Sequence, residues 1–129
     1  MDEWKELIHA LKTDRKRSAW SRAQTLDTSL VKLKGEIDEC REALEHSDDA
    51  LISELGDALW SLIFALIVAD DERGMSLEQT ATAALSKLRT RKPWLFEDGP
   101  PLSLEEEDRL WTQAKDRERR REQETAAAE

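Results

Sequence analysis

Apolar residues recur along this chain mostly at steps of three and four, the spacing that lines up one face of an α-helix. From about Ser21 to His46, Leu26, Leu30, Leu33, Ile37, Cys40 and Leu44 alternate steps of four and three. That pattern predicts a long amphipathic helix facing a neighbour. Before it, Trp4, Leu7, Ile8 and Leu11 predict a short helix over about 2–11, and the basic run Lys12 to Arg17 predicts an irregular link up to Trp20. After it, Ser47-Asp48-Asp49 reads as a turn and N-cap, and the chain is then apolar on nearly every face over about 50–69. That segment is expected to be the central helix and the most buried element.

Asp70 to Gly74 reads as a connection, and Ser76 with Gln79 matches a capping box opening a helix that runs to about Arg91, where Pro93 limits it. Gly99-Pro100-Pro101 breaks the chain again. Ser103 and Glu106 then open a last helix through Trp111 and Ala114, and the alternating charges beyond about Arg117 are expected to fray or be disordered. The whole predicts one all-α domain over 1–129, a bundle of about five helices. Composition agrees: 38% of the 129 residues are charged, with 4 Gly, 3 Pro and no Tyr.

The net charge of −9 argues against a nucleic-acid polymer as partner, because such binding begins by neutralising phosphates with Lys and Arg. Cys40, the single cysteine, has no intrachain disulfide partner. The opening Met1-Asp2-Glu3 is not a basic-then-apolar leader, so a reducing cytoplasm is the expected compartment. The most apolar stretch, Ala58 to Ala69, falls short of the about 20 residues needed to cross a bilayer, so no membrane is expected as partner.

The acids carry the candidate chemistry. At about 100° per residue, Lys32, Glu36 and Glu39 share a stripe beside the apolar seam of the long helix, whereas Asp38, Glu42 and Glu45 point away. Cys40 is assigned to the apolar seam rather than to the acids. On the next helix Glu54 and Asp57 are again three apart, on an element otherwise apolar nearly all round. Ionised carboxylates placed there need a cation or protons between them, since burying an unpartnered charge costs several kcal/mol. With only oxygen ligands, a hard divalent ion is the natural one, Mg²⁺ first and Mn²⁺ second. An E-x-x-E pair alone is usually a solvated face, and an acid pair early in a helix can simply answer the helix dipole; the two pairs on sequential helices favour the metal.

At this point the sequence resembles the MazG-type nucleoside triphosphate pyrophosphohydrolases, whose signature is E-E-x-x-E, a gap, then E-x-x-D. Here those segments are Gly35-Glu36-Ile37-Asp38-Glu39 and Glu54-Leu55-Gly56-Asp57. The likeness extends to Ala19 through Thr25 against the family's PWDxxQT, Lys87 through Phe96 against its KLxRRHPHVF, and Trp111 through Lys115 against its WEQIK. It implies divalent-metal-dependent attack of water on the α-phosphorus of an NTP or dNTP, giving the nucleoside monophosphate and pyrophosphate. It also implies Glu36, Glu39, Glu54 and Asp57 as metal ligands, Lys32, Lys87, Arg91 and Lys115 as phosphate-binding cations, and Trp111 against the nucleotide. Lys87 and Arg91, four residues apart, could grip phosphate oxygens together. Trp60, one turn after Asp57, either lines this pocket or packs between helices; Trp4, Trp20 and Trp94 are read as structural anchors.

Gly35 departs from the signature, standing where its first glutamate belongs, and Ala50 and Ser53 replace a lysine and an extra acid that some members carry. A glycine within a helix costs about 1 kcal/mol relative to alanine, so Gly35 is read as marking a close helix approach. The missing acid also leaves open a rival reading, a regulatory module that binds metal and nucleotide with little turnover, and within the enzyme class a dUTP- or dCTP-selective or phosphoribosyl-ATP-cleaving relative. A homodimer or higher homo-oligomer is expected, from the resemblance and from an apolar load on the 50–69 helix that is large for so small a bundle to cover.

Overall fold

The computed structural model describes residues 2–128 and contains six α-helices and one 3-10 turn, with no strand among the described residues. The helices are α1 (Glu3–Arg17), α2 (Ala19–Ala23), α3 (Leu26–Ala43), α4 (Asp48–Arg73), α5 (Leu77–Arg91) and α6 (Leu104–Ala128), with the 3-10 turn at Pro93–Phe96. The all-α class predicted from the periodicity is the one observed. The chain forms two compact units, Met1–Thr80 and Ala81–Glu129.

In the first unit α3 and α4 lie against each other, and α1 packs on α4. Each helix begins where its cap dictates. Thr25 accepts from the Thr28 backbone while the Thr28 hydroxyl accepts from the Thr25 backbone, closing a capping box that starts α3 at Leu26 rather than near Ser21. The Glu72 carboxylate, from the end of α4, accepts from the Leu26 amide at 3.2 Å and fixes that helix start from outside. Ser47 caps α4 through the Ala50 amide at 3.2 Å, as its sequence suggests, and Gly74 ends it with φ 66, a left-handed geometry that glycine adopts without steric cost.

The core of this unit is built on the second half of α4, where Ile63, Phe64, Ala65, Ile67, Val68 and Ala69 are all buried. Leu11, Ile63 and Ile67 form its centre, joined by Leu7, Ile8, Leu59, Trp60 and Leu77. Trp20 stacks on Phe64 with ring centroids 5.7 Å apart, the anchoring role read for it. The first half of α4 is less covered than the sequence predicts, with Ile52 and Leu55 exposed. By length and composition α4 would suffice to cross a membrane; here its apolar second half is the core of the unit.

Several local expectations are corrected. The basic run 12–17 is helical, because Lys and Arg are good helix formers and Arg15, Lys16 and Arg17 sit where the negative end of the helix dipole favours them. The expected irregular link contains the short helix α2, capped by Ser18. Arg15 ties the pieces together by donating to the carbonyls of Ser21 and Gln24 and to Asp71 of α4. The C-terminal stretch expected to fray is helix to Ala128, composed of Arg, Glu, Gln and Ala except for Thr125 and braced by an Arg119–Asp116 pair at 2.6 Å.

The largest correction concerns which face of α3 turns inward. Its covered positions after the first turn are Ser29, Lys32, Leu33, Glu36, Cys40 and Ala43, whereas Leu30, Ile37 and Leu44 of the predicted seam are exposed. Periodicity locates a stripe without saying whether the same chain covers it.

Ser76 and Gln79 exchange both capping-box hydrogen bonds at the start of α5, as predicted. In the second unit Ser103 and Glu106 do so at the start of α6, and a two-pronged ion pair joins Arg91 of α5 to Glu118 of α6, with Nε to Oε1 and Nη2 to Oε2 both at 3.1 Å.

Gly35 is exposed, and a Cβ built there meets nothing within 4 Å, so it marks no close approach between elements of this chain. Gly35→Ala is therefore expected to stabilise the protein by about 1 kcal/mol through helix propensity alone. Urea unfolding followed by circular dichroism checks this, and a destabilised variant would show that the position is occupied by something other than solvent.

Candidate functional site

The first unit brings three of the four candidate acids to one place. Glu36 of α3 and Glu54 and Asp57 of α4 each offer a carboxylate oxygen within 4.8 Å of the others. The spacing of three on α4 puts Glu54 and Asp57 on one side of that helix, and the inward turn of α3 carries Glu36 to them. Glu39 lies one turn further along α3 and outside this trio, yet near enough that the Glu36 charge first, and Glu54 after it, hold its carboxyl above the usual range.

Lys32 is the cation among these acids. Its Nζ lies 2.9 Å from Glu36 Oε1, one helical turn away on the predicted stripe, and this hydrogen bond holds the Glu36 carboxyl below its ordinary value against the opposing effect of burial. The same ammonium sits 4.4 Å from the centre of the Trp60 ring. Trp60 in turn donates its indole N–H to Asp57 Oδ1 at 3.3 Å. Trp60 thus does both things the sequence left open, packing on the core and lining the acid cluster. An i, i+3 relation to Asp57 is the only signal of this second role in the sequence.

One cation among four acids leaves the cluster short of positive charge, and the shortage is visible atom by atom. Glu36 Oε2 and Glu54 Oε2 are both buried with no hydrogen-bond partner among the described residues. Buried carboxylate oxygens are almost always satisfied, and leaving one unpaired costs more than the average hydrogen bond is worth. All-oxygen donors converging with orphaned lone pairs fit a hard divalent cation. Among the described residues this is the one grouping of acid, His or Cys side chains close enough to hold an ion.

Cys40 is not on a separate seam. It occupies the inward stripe of α3, and its thiol is pushed up first by burial and then by the charges of Glu54, Glu36, Asp57 and Glu39. The seam assignment failed because the covered stripe of α3 is the one carrying the acids.

The second unit gathers other candidate residues around an aromatic ring. Arg91, Lys92 and Lys115 place their charges 5.6, 5.8 and 5.2 Å from the centre of Trp111. Lys92 is the cation that the sequence reading missed. Trp111 and Lys92, with Trp94, Glu107 and Asp108, line a pocket of about 240 Å³, so Trp94 is more than an anchor. Arg91 is committed to Glu118, which works against the paired grip with Lys87 read from their spacing. Lys87 is exposed, and among the described residues neither it nor Lys115 forms an ion pair.

Residues 24–96 match the MazG nucleotide pyrophosphohydrolase domain. The chain is 30% identical over 100 residues to the nucleoside triphosphate pyrophosphohydrolase/pyrophosphatase MazG of Thermotoga maritima, covering 74% of this chain and 38% of that protein. It is 28% identical over 120 residues to the nucleoside triphosphate pyrophosphohydrolase of Escherichia coli, covering 92% of this chain and 46% of the relative. The chain thus spans less than half the length of the curated relatives it matches. The crystal structure of a mazG-related protein from Thermotoga maritima superposes with a TM-score of 0.82 at 30% identity, over 87% of this chain and 98% of that one.

The Arg91 guanidinium holds the Glu118 carboxyl below its ordinary value of 4.5. A group depressed on folding stabilises above its unfolded pKa, and the benefit is lost as pH falls through the lower folded value. Glu118→Gln is therefore expected to be less stable than the parent at about pH 7 and to converge on it toward about pH 3, as read by thermal unfolding across that range. A gap that persists unchanged in acid would assign the loss to packing instead.

Proposed function

We propose that this chain, which belongs to the MazG nucleotide pyrophosphohydrolase family, hydrolyses a nucleoside triphosphate to the monophosphate and pyrophosphate, acting as one functional domain in the cytoplasm. The observation that carries this reading is the convergence of Glu36, Glu54 and Asp57 with two buried oxygens left unpartnered. Ordinary ion-pair networks satisfy their buried oxygens; this arrangement instead suits a hard divalent cation, Mg²⁺ with Mn²⁺ as substitute. When bound, such an ion supplies Lewis acidity toward phosphoryl oxygens and a water of lowered pKa.

The chain's own residues do the holding and the charge placement. Glu36, Glu54 and Asp57 are the inner ligands, and Glu39 is the outer one, reaching in from the next turn of α3. Lys32, paired with Glu36 at 2.9 Å, would supply a positive charge to a phosphate oxygen beside the carboxylates that would hold the ion. Trp111, Lys115 and Lys87 are proposed as nucleotide contacts from the resemblance alone; within the second unit Lys115 lies over the Trp111 ring and Arg91 is held by Glu118.

The test is a panel of NTPs and dNTPs, including dUTP, dCTP and phosphoribosyl-ATP, with Mg²⁺ or Mn²⁺, following pyrophosphate and monophosphate. Turnover is expected, and Glu54→Gln or Asp57→Asn is expected to lower kcat/KM by more than about 100-fold, since even residues behind metal ligands commonly cost 10–100-fold. Unchanged activity in both variants would sink the metal assignment. Metal-dependent nucleotide binding with no turnover would favour the regulatory module, the reading that Gly35 motivates.

We also propose that the protein works as a homodimer. Leu30, Val31, Ile37 and Leu44 of α3 and Ile52, Leu55 and Leu62 of α4 are each at least 44% exposed, more apolar side chain than two adjacent helices usually leave to water. Sedimentation equilibrium should give a dimer for the parent chain and a monomer for the Leu30→Glu/Ile37→Glu variant; a monomeric parent overturns the proposal.

A further inference from the structure

The geometry points to Trp60 as a positioning residue that sets one metal ligand and one phosphate-binding cation at once, through its N–H and its ring face respectively; this rests on the function proposed above. Trp60 stands one helical turn beyond Asp57 on α4, and its indole N–H reaches Asp57 Oδ1 at 3.3 Å. Its ring lies 4.4 Å from the Lys32 ammonium, which is itself 2.9 Å from Glu36 Oε1. The side chain therefore links α4's carboxylate to α3's cation, while it also packs against the Leu11, Ile63 and Ile67 core. A half-buried indole wedged on a core is a rigid post, unlike a flexible polar side chain in the same place.

The two contacts do different chemical work. The N–H donates only, so it fixes one oxygen of Asp57 and leaves the other available, the kind of outer support that orients a metal ligand. The ring face attracts the ammonium without carrying a full negative charge. A carboxylate at this position would hold Lys32 in an ion pair and compete with an incoming phosphate. The indole adds no second ion pair to the one Lys32 already makes with Glu36. Phenylalanine keeps a ring and loses the N–H, whereas leucine loses both, so two substitutions separate the two contacts.

The test uses the full chain and two probes that require no turnover: Mn²⁺ alone, followed by electron paramagnetic resonance of the free ion, and an α,β-imido nucleoside triphosphate titrated calorimetrically at saturating Mn²⁺. Trp60→Phe is expected to weaken Mn²⁺ binding about ten-fold, with nucleotide affinity changed by less than about two-fold. Trp60→Leu is expected to show the same Mn²⁺ loss together with about three- to ten-fold weaker nucleotide binding. Circular dichroism confirms that each variant is folded, and the conservative Phe variant decides the N–H contact even where the Leu variant is unstable. Parent-like Mn²⁺ affinity in Trp60→Phe, with Glu54→Gln having lost it, overturns this assignment and leaves the metal reading standing. A parent chain that binds no Mn²⁺ overturns both.

Discussion

An excess of negative charge between two packed helices is the constraint on which the first unit depends. Glu36, Glu54 and Asp57 bring carboxylates within 4.8 Å of one another, Glu39 stands close behind, and among the described residues Lys32 is the one cation paired with them. Left to itself such a cluster would push α3 and α4 apart, because like charges at this distance repel. The fold meets the strain elsewhere. Glu72 docks on the start of α3, Arg15 locks α1 and α2 to the end of α4, and the Ile63 to Ala69 core holds the opposite end of the helix pair shut. The acids sit toward the less covered half of α4, where an ion can reach them.

Much of the fold was legible in the sequence, and the reasons are local. Capping chemistry at Ser47, Ser76 and Ser103 placed three helix starts, because a hydroxyl that satisfies an orphan amide leaves a short and specific signature. The length of α1 and of α6 was misjudged for the converse reason: charge runs read as solvated links are equally good helix formers when no Gly or Pro interrupts them. The spacing of the acids was visible as two i, i+3 pairs. What spacing cannot show is the partner of a stripe: of the expected seam, Leu30, Ile37 and Leu44 are exposed, whereas Leu26, Leu33 and Cys40 are partly covered, the last two on the stripe that also carries Lys32 and Glu36. Trp60 was ambiguous because one indole has both an apolar body and a polar edge, and here each is used.

The orientation of α3 links the site to the rest of the molecule. A helix has only one face to offer α4, and in α3 that face carries Ser29, Lys32, Glu36 and Cys40. Hydrophobic burial would be better served by presenting Leu30, Ile37 and Leu44 instead, each of which is close to half exposed or more. Polar residues in the covered stripe therefore cost stability that the apolar stripe would have supplied, a pattern expected where function rather than packing sets the register.

That cost also explains why the two stripes belong together. With the inward face shared with charge, Leu30, Ile37 and Leu44 remain as uncovered hydrophobic surface, as do Ile52, Leu55 and Leu62 of α4. Covering that surface with a second copy would stiffen the helix pair from behind while leaving the carboxylates on the inward face untouched. On this argument the proposed site and the proposed dimer share one physical origin: both follow from turning Glu36, rather than Ile37, toward α4. A register shift of one residue, about 100° around the helix, would exchange the two faces and abolish both.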